Sequence, residues 1–270
     1  MLVLKWVFMP RSSRCAWHAS SILGRVASLV YIALFYVVCC VVAPVVLLPV
    51  CITARLTHRH SSTCWDWTTL IFFRLFHLNY RVSGTLVESG FILSNHRSFC
   101  DFGYDPYVSG SAVVGRALGF ASMLGIALLG FVERRFIVIS RMHSRHDAFE
   151  AIRRFQSANG PYSQRILFWP EGTRRSYTTL TLPETRTILK MGLLKSIYEH
   201  NRTPVQIMLS KNKELVFDEK RIRVGFGWTI DTRLSDAIHP RDFATFDAFY
   251  ERVCVDWHGL FCILYSDDGA

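Results

Sequence analysis

The stretch Asn95–Asp101, N-H-R-S-F-C-D, places a histidine five residues ahead of an aspartate. Histidine is the side chain best suited to take a proton near neutral pH, and a carboxylate on its second ring nitrogen sets the tautomer and steadies the imidazolium. A gap of five lets the aspartate fold back to the ring across a turn or the first turn of a helix. Seventy residues further on, Leu167–Arg174 reads L-F-W-P-E-G-T-R and supplies a carboxylate, a glycine, a hydroxyl and an arginine in succession. An arginine there, like Arg141 past the run F-I-V-I, can hold phosphate through several fixed donors, where a lysine offers only a point charge. No G-x-S-x-G turn surrounds any serine, and Ser98 and Cys100 lack a glycine-flanked strand-to-helix elbow. His96 and Asp101 thus form a base and its orienting group with no protein nucleophile, and the hydroxyl that attacks belongs to a substrate.

These residues need elements that end beside one another. Tyr80–Val82, Gly90–Ser94, Phe136–Ile139, Ile166–Trp169 and Val205–Leu209 read as strands, most of them continuous apolar runs of the buried kind, and Arg221–Ile230 alternates well enough for one more. Trp65–Leu78 is an apolar-rich helix. Ser144 and Asp147 open another, closed by Asn159-Gly160-Pro161, and Pro183–His200 reads as a third. Between Val113 and Val132 the chain is apolar and repeatedly broken by glycine, as expected of helices that cover an apolar tunnel. Strands separated by helices predict an α/β fold: a single catalytic domain with a central mixed, largely parallel sheet flanked by helices, plus an N-terminal membrane-anchoring helix or helical hairpin. In such sheets functional groups gather where strands run out into loops.

The anchor is read from 29 consecutive uncharged residues between Arg25 and Arg55. As one helix they would reach roughly 43 Å, against about 30 Å for a hydrocarbon core. Pro44 and Pro49 remove backbone donors, which leaves a kinked, tilted span or a hairpin that returns to the same face. The run is too long and starts too late for a cleaved secretory signal. Residues 1–60 are accordingly assigned to a membrane anchor and 61–270 to the catalytic domain.

Half of the 270 residues are hydrophobic and the formal charge is +10. No acidic residue precedes Asp66, so beyond that stretch 25 basic residues face 21 acidic ones. A small excess of this kind suits anionic small substrates or an anionic membrane surface, and without basic runs interleaved with aromatics no nucleic acid is expected as a partner. The eight cysteines show no C-x-x-C spacing and read as reduced thiols. Neither His58, His60 and Cys64 nor His143 and His146 have structural zinc spacing, so no metal is expected.

Together, Asn95-His96 through Asp101, Phe136–Arg141, Phe168–Arg174 and Pro204-Val205 resemble the four motifs of the PlsC-like glycerolipid acyltransferase superfamily, over about Leu70 to Leu209. The resemblance implies that His96 deprotonates an acceptor hydroxyl, that Asp101 orients His96, and that acyl-CoA is the co-substrate, with no cofactor. It also implies that Arg141, Glu171, Gly172, Thr173 and Arg174 place a phosphate-bearing acceptor, with Pro204 shaping the site nearby. Glu171 has an alternative role in holding its loop through backbone amides. The second motif is stretched in this chain, so Arg134 or Arg135 competes with Arg141 for the arginine's role.

The implied reaction acylates lysophosphatidic acid to phosphatidic acid at the endoplasmic reticulum or an equivalent lipid-synthesising membrane. Glycerol 3-phosphate or a headgroup-bearing lysophospholipid is the alternative acceptor. A non-catalytic lipid-binding protein on the same fold is the alternative from another class.

Overall fold

Short apolar runs build the centre of the molecule. The computed structural model describes residues 22–56, 63–116, 124–139, 145–158, 160, 162–175, 177–200, 203–218 and 223–266. Seven strands form one sheet: β1 (Asn79–Ser83), β2 (Gly90–Ser94), β3 (Ala112–Gly115), β4 (Phe136–Val138), β5 (Arg165–Phe168), β6 (Val205–Lys211) and β9 (Thr229–Leu234). Their order is β1-β9-β6-β2-β5-β3-β4. From β6 to β4 all neighbours are parallel; β9 is antiparallel to β6, and β1 runs parallel to β9. The sheet is therefore mixed and mostly parallel. β7 (Phe217–Asp218) and β8 (Arg223–Val224) make a separate small antiparallel pair.

Both faces of the sheet are covered, which is why its strands are apolar throughout rather than alternating. Ile92, Val113, Leu167, Met208 and Ile230 pack on one side with Trp65, Phe72 and Phe73 of α3 (Thr63–Leu75), with Phe76 just after it, and with Phe102 and Tyr104 of α4 (Asp101–Ser109). The intervening Phe91, Leu93, Ile166, Phe168, Val205, Ile207 and Leu209 point the other way. There they meet Phe149 and Ile152 of α6 (Arg145–Ser157), Ile188 of α7 (Leu182–Ile188), Leu194 and Ile197 of α8 (Met191–His200) and several residues of α10 (Phe246–Ser266), among them Phe249 and Trp257. Each fully buried large side chain of this kind contributes about 1.5–3 kcal/mol. A one-turn helix, α9 (Lys213–Val216), comes directly after β6.

Local chemistry explains where the elements differ from the expectation. Residues 183–200 form two helices, not one: a capping box between Thr181 and Glu184 starts α7, and the chain leaves helical geometry at Leu189 before α8 begins. α3 ends three residues before the predicted Leu78, because His77 adopts φ 49° and Leu78 N–H returns to the Phe73 carbonyl at 2.8 Å, closing the helix in a left-handed cap. The interval 113–132 contributes a strand, β3, and a helix, α5 (Leu124–Val132), where only helices were expected.

The N-terminal uncharged run does not make a single unbroken α-helix. α1 (Ile22–Tyr36) passes through a π-helical stretch, Val37–Val42, into α2 (Ala43–Leu56). Pro44 has no backbone N–H to donate to the carbonyl one turn back, which accounts locally for the change in winding. Among the described residues no helix is long and apolar enough to cross a membrane. Residues 1–21 and 57–62 lie outside the described part. Cys51 on α2 and Cys64 on α3 form a disulfide, correcting the expectation of reduced thiols; their Cα atoms are 6.4 Å apart, within the span a bridge requires.

Candidate active site

Because β2, β5, β3, β4 and β6 are parallel, their C-terminal ends share one edge, and the loops that leave them are brought together there. Asn95, just past the end of β2, locks this edge. Its side chain donates to Ser210 O at 2.8 Å and accepts from Ser210 N–H at 2.9 Å, so the loop after β2 is fastened to β6. The next residue is His96. The chain turns immediately into α4, whose first residue is Asp101, and this turn carries the carboxylate back beneath the imidazole.

His96 Nδ1 lies 2.7 Å from Asp101 Oδ2. The same oxygen accepts the backbone N–H of Arg97 at 2.6 Å and of Ser98 at 3.1 Å. Burial opposes ionisation of Asp101, but the Lys213 ammonium, the imidazole and these amides together hold its carboxyl below the usual range. An ionised Asp101 takes the proton on Nδ1, which leaves the Nε2 lone pair as the basic atom. Trp169 stacks on the imidazole with centroids 4.8 Å apart and planes 20° apart, and Phe102 stands edge-on at 5.9 Å. The ring is fixed by packing yet 12 % exposed, while Asp101 is wholly buried. The imidazole is thus partly open to solvent, and its carboxylate partner is shielded from it.

Glu171 lies in the loop after β5. Its Oε1 accepts the backbone N–H of His96 and the hydroxyl of Tyr177, both at 3.1 Å. Burial, opposed by the Arg97 guanidinium and these hydrogen bonds, pushes the carboxyl up to about 7. Of the two roles open to Glu171, the geometry is that of a tie between the two motif loops. Arg97 is a second tie: buried, it donates to the Tyr177 carbonyl at 2.7 Å, to the Arg175 carbonyl at 3.2 Å and to Tyr265 OH at 2.6 Å, with its guanidinium 4.0 Å above the Tyr177 ring. Arg175 N–H closes onto His96 O at 2.9 Å.

Gly172 bends the chain at φ 67°, and a side chain there would run into Lys190. Gly172 and Thr173 are exposed and Arg174 is half-buried, its guanidinium 5.9 Å from the Phe99 ring. These three form the lip of the site beside His96.

Ser98 and Cys100 are structural. Ser98 Oγ donates to Lys213 O at 3.0 Å and accepts from Cys100 N–H at 3.1 Å, and burial pushes the Cys100 thiol well above its ordinary value. Neither is a nucleophile.

Pro204 and the two alternatives to Arg141, Arg134 and Arg135, stand at the opposite edge of the sheet. Pro204 precedes β6, and its carbonyl accepts the N–H of Phe91 at 2.9 Å, at the start of β2. His96 is several residues further along, roughly 20 Å at the rise of a strand. Parallel pairing of β2 with β6 thus excludes Pro204 from shaping the site. Arg134 and Arg135 likewise precede β4. Arg135 is buried there, donating to Asp66 at 2.7 Å and to Tyr162 OH at 2.6 Å, beside Glu133, whose carboxyl burial pushes up to about 7. Arg141 lies outside the described residues.

Three residues at this edge were not singled out by sequence as part of the site. Asp105, one turn into α4, receives Ser94 Oγ and Trp169 Nε1, each at 2.8 Å. Lys213 is fully buried and lies 3.1 Å from Asp101 Oδ1 and 2.9 Å from Asp105 Oδ1. Trp169 belongs to the L-F-W-P-E-G-T-R motif, but nothing in its spacing shows that it stacks on the base. Among the described residues one group of three metal-capable side chains is drawn together, Cys51, Cys64 and Glu133, and its two sulfurs are bonded to each other.

The mixed, mostly parallel sheet with helices on both faces makes a PlsC-like fold. It is shared with the 1-acyl-sn-glycerophosphate (LPA) acyltransferase PlsC from Thermotoga maritima, at a TM-score of 0.62 and 12 % identity, over 91 % of this chain and 98 % of that one. No family model matches the chain, and no curated protein matches it in sequence.

Proposed function

We propose that this protein is an acyl-CoA-dependent O-acyltransferase that converts lysophosphatidic acid to phosphatidic acid. The observation that carries the reading is a partly exposed histidine held by a buried aspartate whose carboxyl is kept below its usual range, with no serine or cysteine nucleophile beside it among the described residues. His96 Nε2 takes the proton of the acceptor hydroxyl as its oxygen attacks the thioester carbonyl of acyl-CoA. The tetrahedral intermediate collapses, the carbon–sulfur bond breaks, and the imidazolium returns the proton to the departing thiolate. No residue is acylated, and the scheme needs no metal or cofactor.

Gly172, Thr173 and Arg174 at the lip hold the acceptor phosphate, and Lys190 beside Gly172 adds a second cation to that side. By the sequence resemblance Arg141 shares this role. The N-terminal region, 1–60 with its two apolar helices, brings this edge to a lipid surface: Val30, Val45 and Val46 expose 60 %, 71 % and 58 % of their surface. Such a helix pair lies in one leaflet at a lipid-synthesising membrane such as the endoplasmic reticulum.

A panel of acceptors offered with one labelled acyl-CoA tests the reading. Lysophosphatidic acid should be preferred over glycerol 3-phosphate and headgroup-bearing lysophospholipids, and Arg174→Ala should raise the acceptor KM about ten-fold or more with kcat nearly unchanged. Equal use of a monoacylglycerol, which carries no phosphate and is included in the panel, rules out phosphate recognition at this lip.

A further inference from the structure

Beneath the base lies a charged cluster that the reaction scheme leaves unused. Lys213 Nζ, fully buried, is 2.9 and 3.0 Å from the two carboxylate oxygens of Asp105, 2.8 Å from the Asn95 carbonyl and 3.1 Å from Asp101 Oδ1. Asp101 and Asp105 are themselves completely buried. The two oxygens of Asp101 are treated differently. Oδ2 takes His96 and two backbone amides, whereas Oδ1 accepts no hydrogen bond among the described residues and faces the ammonium alone. Lysine and imidazole therefore grip the carboxylate from opposite oxygens.

A cation so placed has a drawback: by itself it would cancel the charge Asp101 offers the imidazole. Asp105 holds the same ammonium with both oxygens. Burial, opposed by the Lys213 ammonium, pushes the Asp105 carboxyl up to about 6, so above that pH two carboxylates and one ammonium leave a net charge of −1, which the imidazolium formed at His96 brings to zero. Without Asp105 the buried set starts at zero and ends at +1, the costly direction in a site screened from water.

We propose that Asp105 and Lys213 are positioning residues for the base: Lys213 fixes the Asp101 carboxylate, and Asp105 offsets the lysine so that Asp101 keeps a full negative charge for His96. The titratable groups facing the cluster are His96, Asp101, Cys100 and Tyr104 from the β2 loop and α4, and Glu171 from the loop after β5.

The inference rests on the acyl-transfer reading only for its kinetic arm; the titration arm needs no turnover. The full chain, 15N-labelled at histidine, is titrated by NMR as wild type, Asp105→Asn and Asp105→Asn/Lys213→Met, with the His96 signal identified by its loss in His96→Gln. In Asp105→Asn the His96 titration should move down by about one pH unit or more, and in the double variant it should return towards wild type. The acidic limb of kcat/KM should move with it in both. A purely structural role lowers the signal or the rate without moving either curve. If Asp105→Asn unfolds, Asp105→Thr removes the same charge and keeps an acceptor for Trp169. An unmoved His96 titration in a folded charge-removing variant, or a double variant that shifts further rather than reverting, overturns the proposal. If the wild type acylates no acceptor, the functional reading fails while the titration still decides this one.

Discussion

Asp101 and His96 were legible from residue type and spacing because the chemistry needs both and the chain places them within a turn or so of helix. Lys213 was not. It lies 108 residues from Asp105, in a K-N-K-E stretch that reads as solvated surface charge, and only the parallel pairing of β6 with β2 brings it beneath the site. Glu171 shows a related limit: its spacing marks it as special, but whether it meets substrate or backbone depends on the loop it ends up bonding. Its buried carboxyl makes a prediction about stability. Raised from 4.5 to about 7, it holds a proton in the native state that the unfolded chain has released. Its contribution is thus fully present below pH 4.5 and lost as pH rises through 7. Glu171→Gln should melt close to wild type at about pH 4.5 and above it at about pH 8; a variant that melts lower than wild type by the same margin at both values contradicts the burial of an ionisable group there.

The strands were the most readable elements, since runs such as F-I-L and I-L-F suit one environment, a sheet covered on both faces. What could not be read was which ends meet. Pro204-Val205 lies beside a motif-like strand, yet parallel pairing puts Pro204 against Gly90, at the far edge from His96. The break between α7 and α8 was also hidden, as helix propensity alone favours continuing through Leu189. Two substitutions separate these local forces. Gly90 has φ 145°, and a side chain there would collide with the Pro204 carbonyl oxygen, a backbone atom that cannot swing aside. Gly90→Ala should cost more than about 2 kcal/mol. Thr181→Ala removes one half of an exposed capping box and should cost about 1 kcal/mol. Denaturant midpoints measure both, and the reverse ranking contradicts the pairing of β2 with β6.

For the whole molecule, composition and pattern were enough for an α/β domain with an apolar N-terminal segment. They were not enough for the form of that segment, since 29 uncharged residues are compatible with a span, a hairpin or helices lying flat, and a proline-perturbed winding depends on backbone geometry that hydropathy does not register. Exposed valines on α1 and α2, with Trp67 on α3 and Phe131 on α5, leave apolar surface uncovered. If this surface meets lipid, Val30→Glu/Val45→Glu should release the protein from anionic phospholipid vesicles in a sedimentation assay while leaving its melting temperature within about a degree or two, because neither side chain packs in the core. Retention on vesicles by the double variant assigns the lipid contact elsewhere.

The central claim is that His96 takes the proton of an acceptor hydroxyl during direct transfer of an acyl group from acyl-CoA. Single-turnover transfer from labelled acyl-CoA to lysophosphatidic acid, in purified wild type and in His96→Ala shown by circular dichroism to be folded, tests it most directly. Wild type should transfer the label with no acylated protein at any time point, and the variant should lose at least about 1,000-fold in rate. Transfer by His96→Ala within about ten-fold of wild type, or an acyl group trapped on the protein, contradicts the claim.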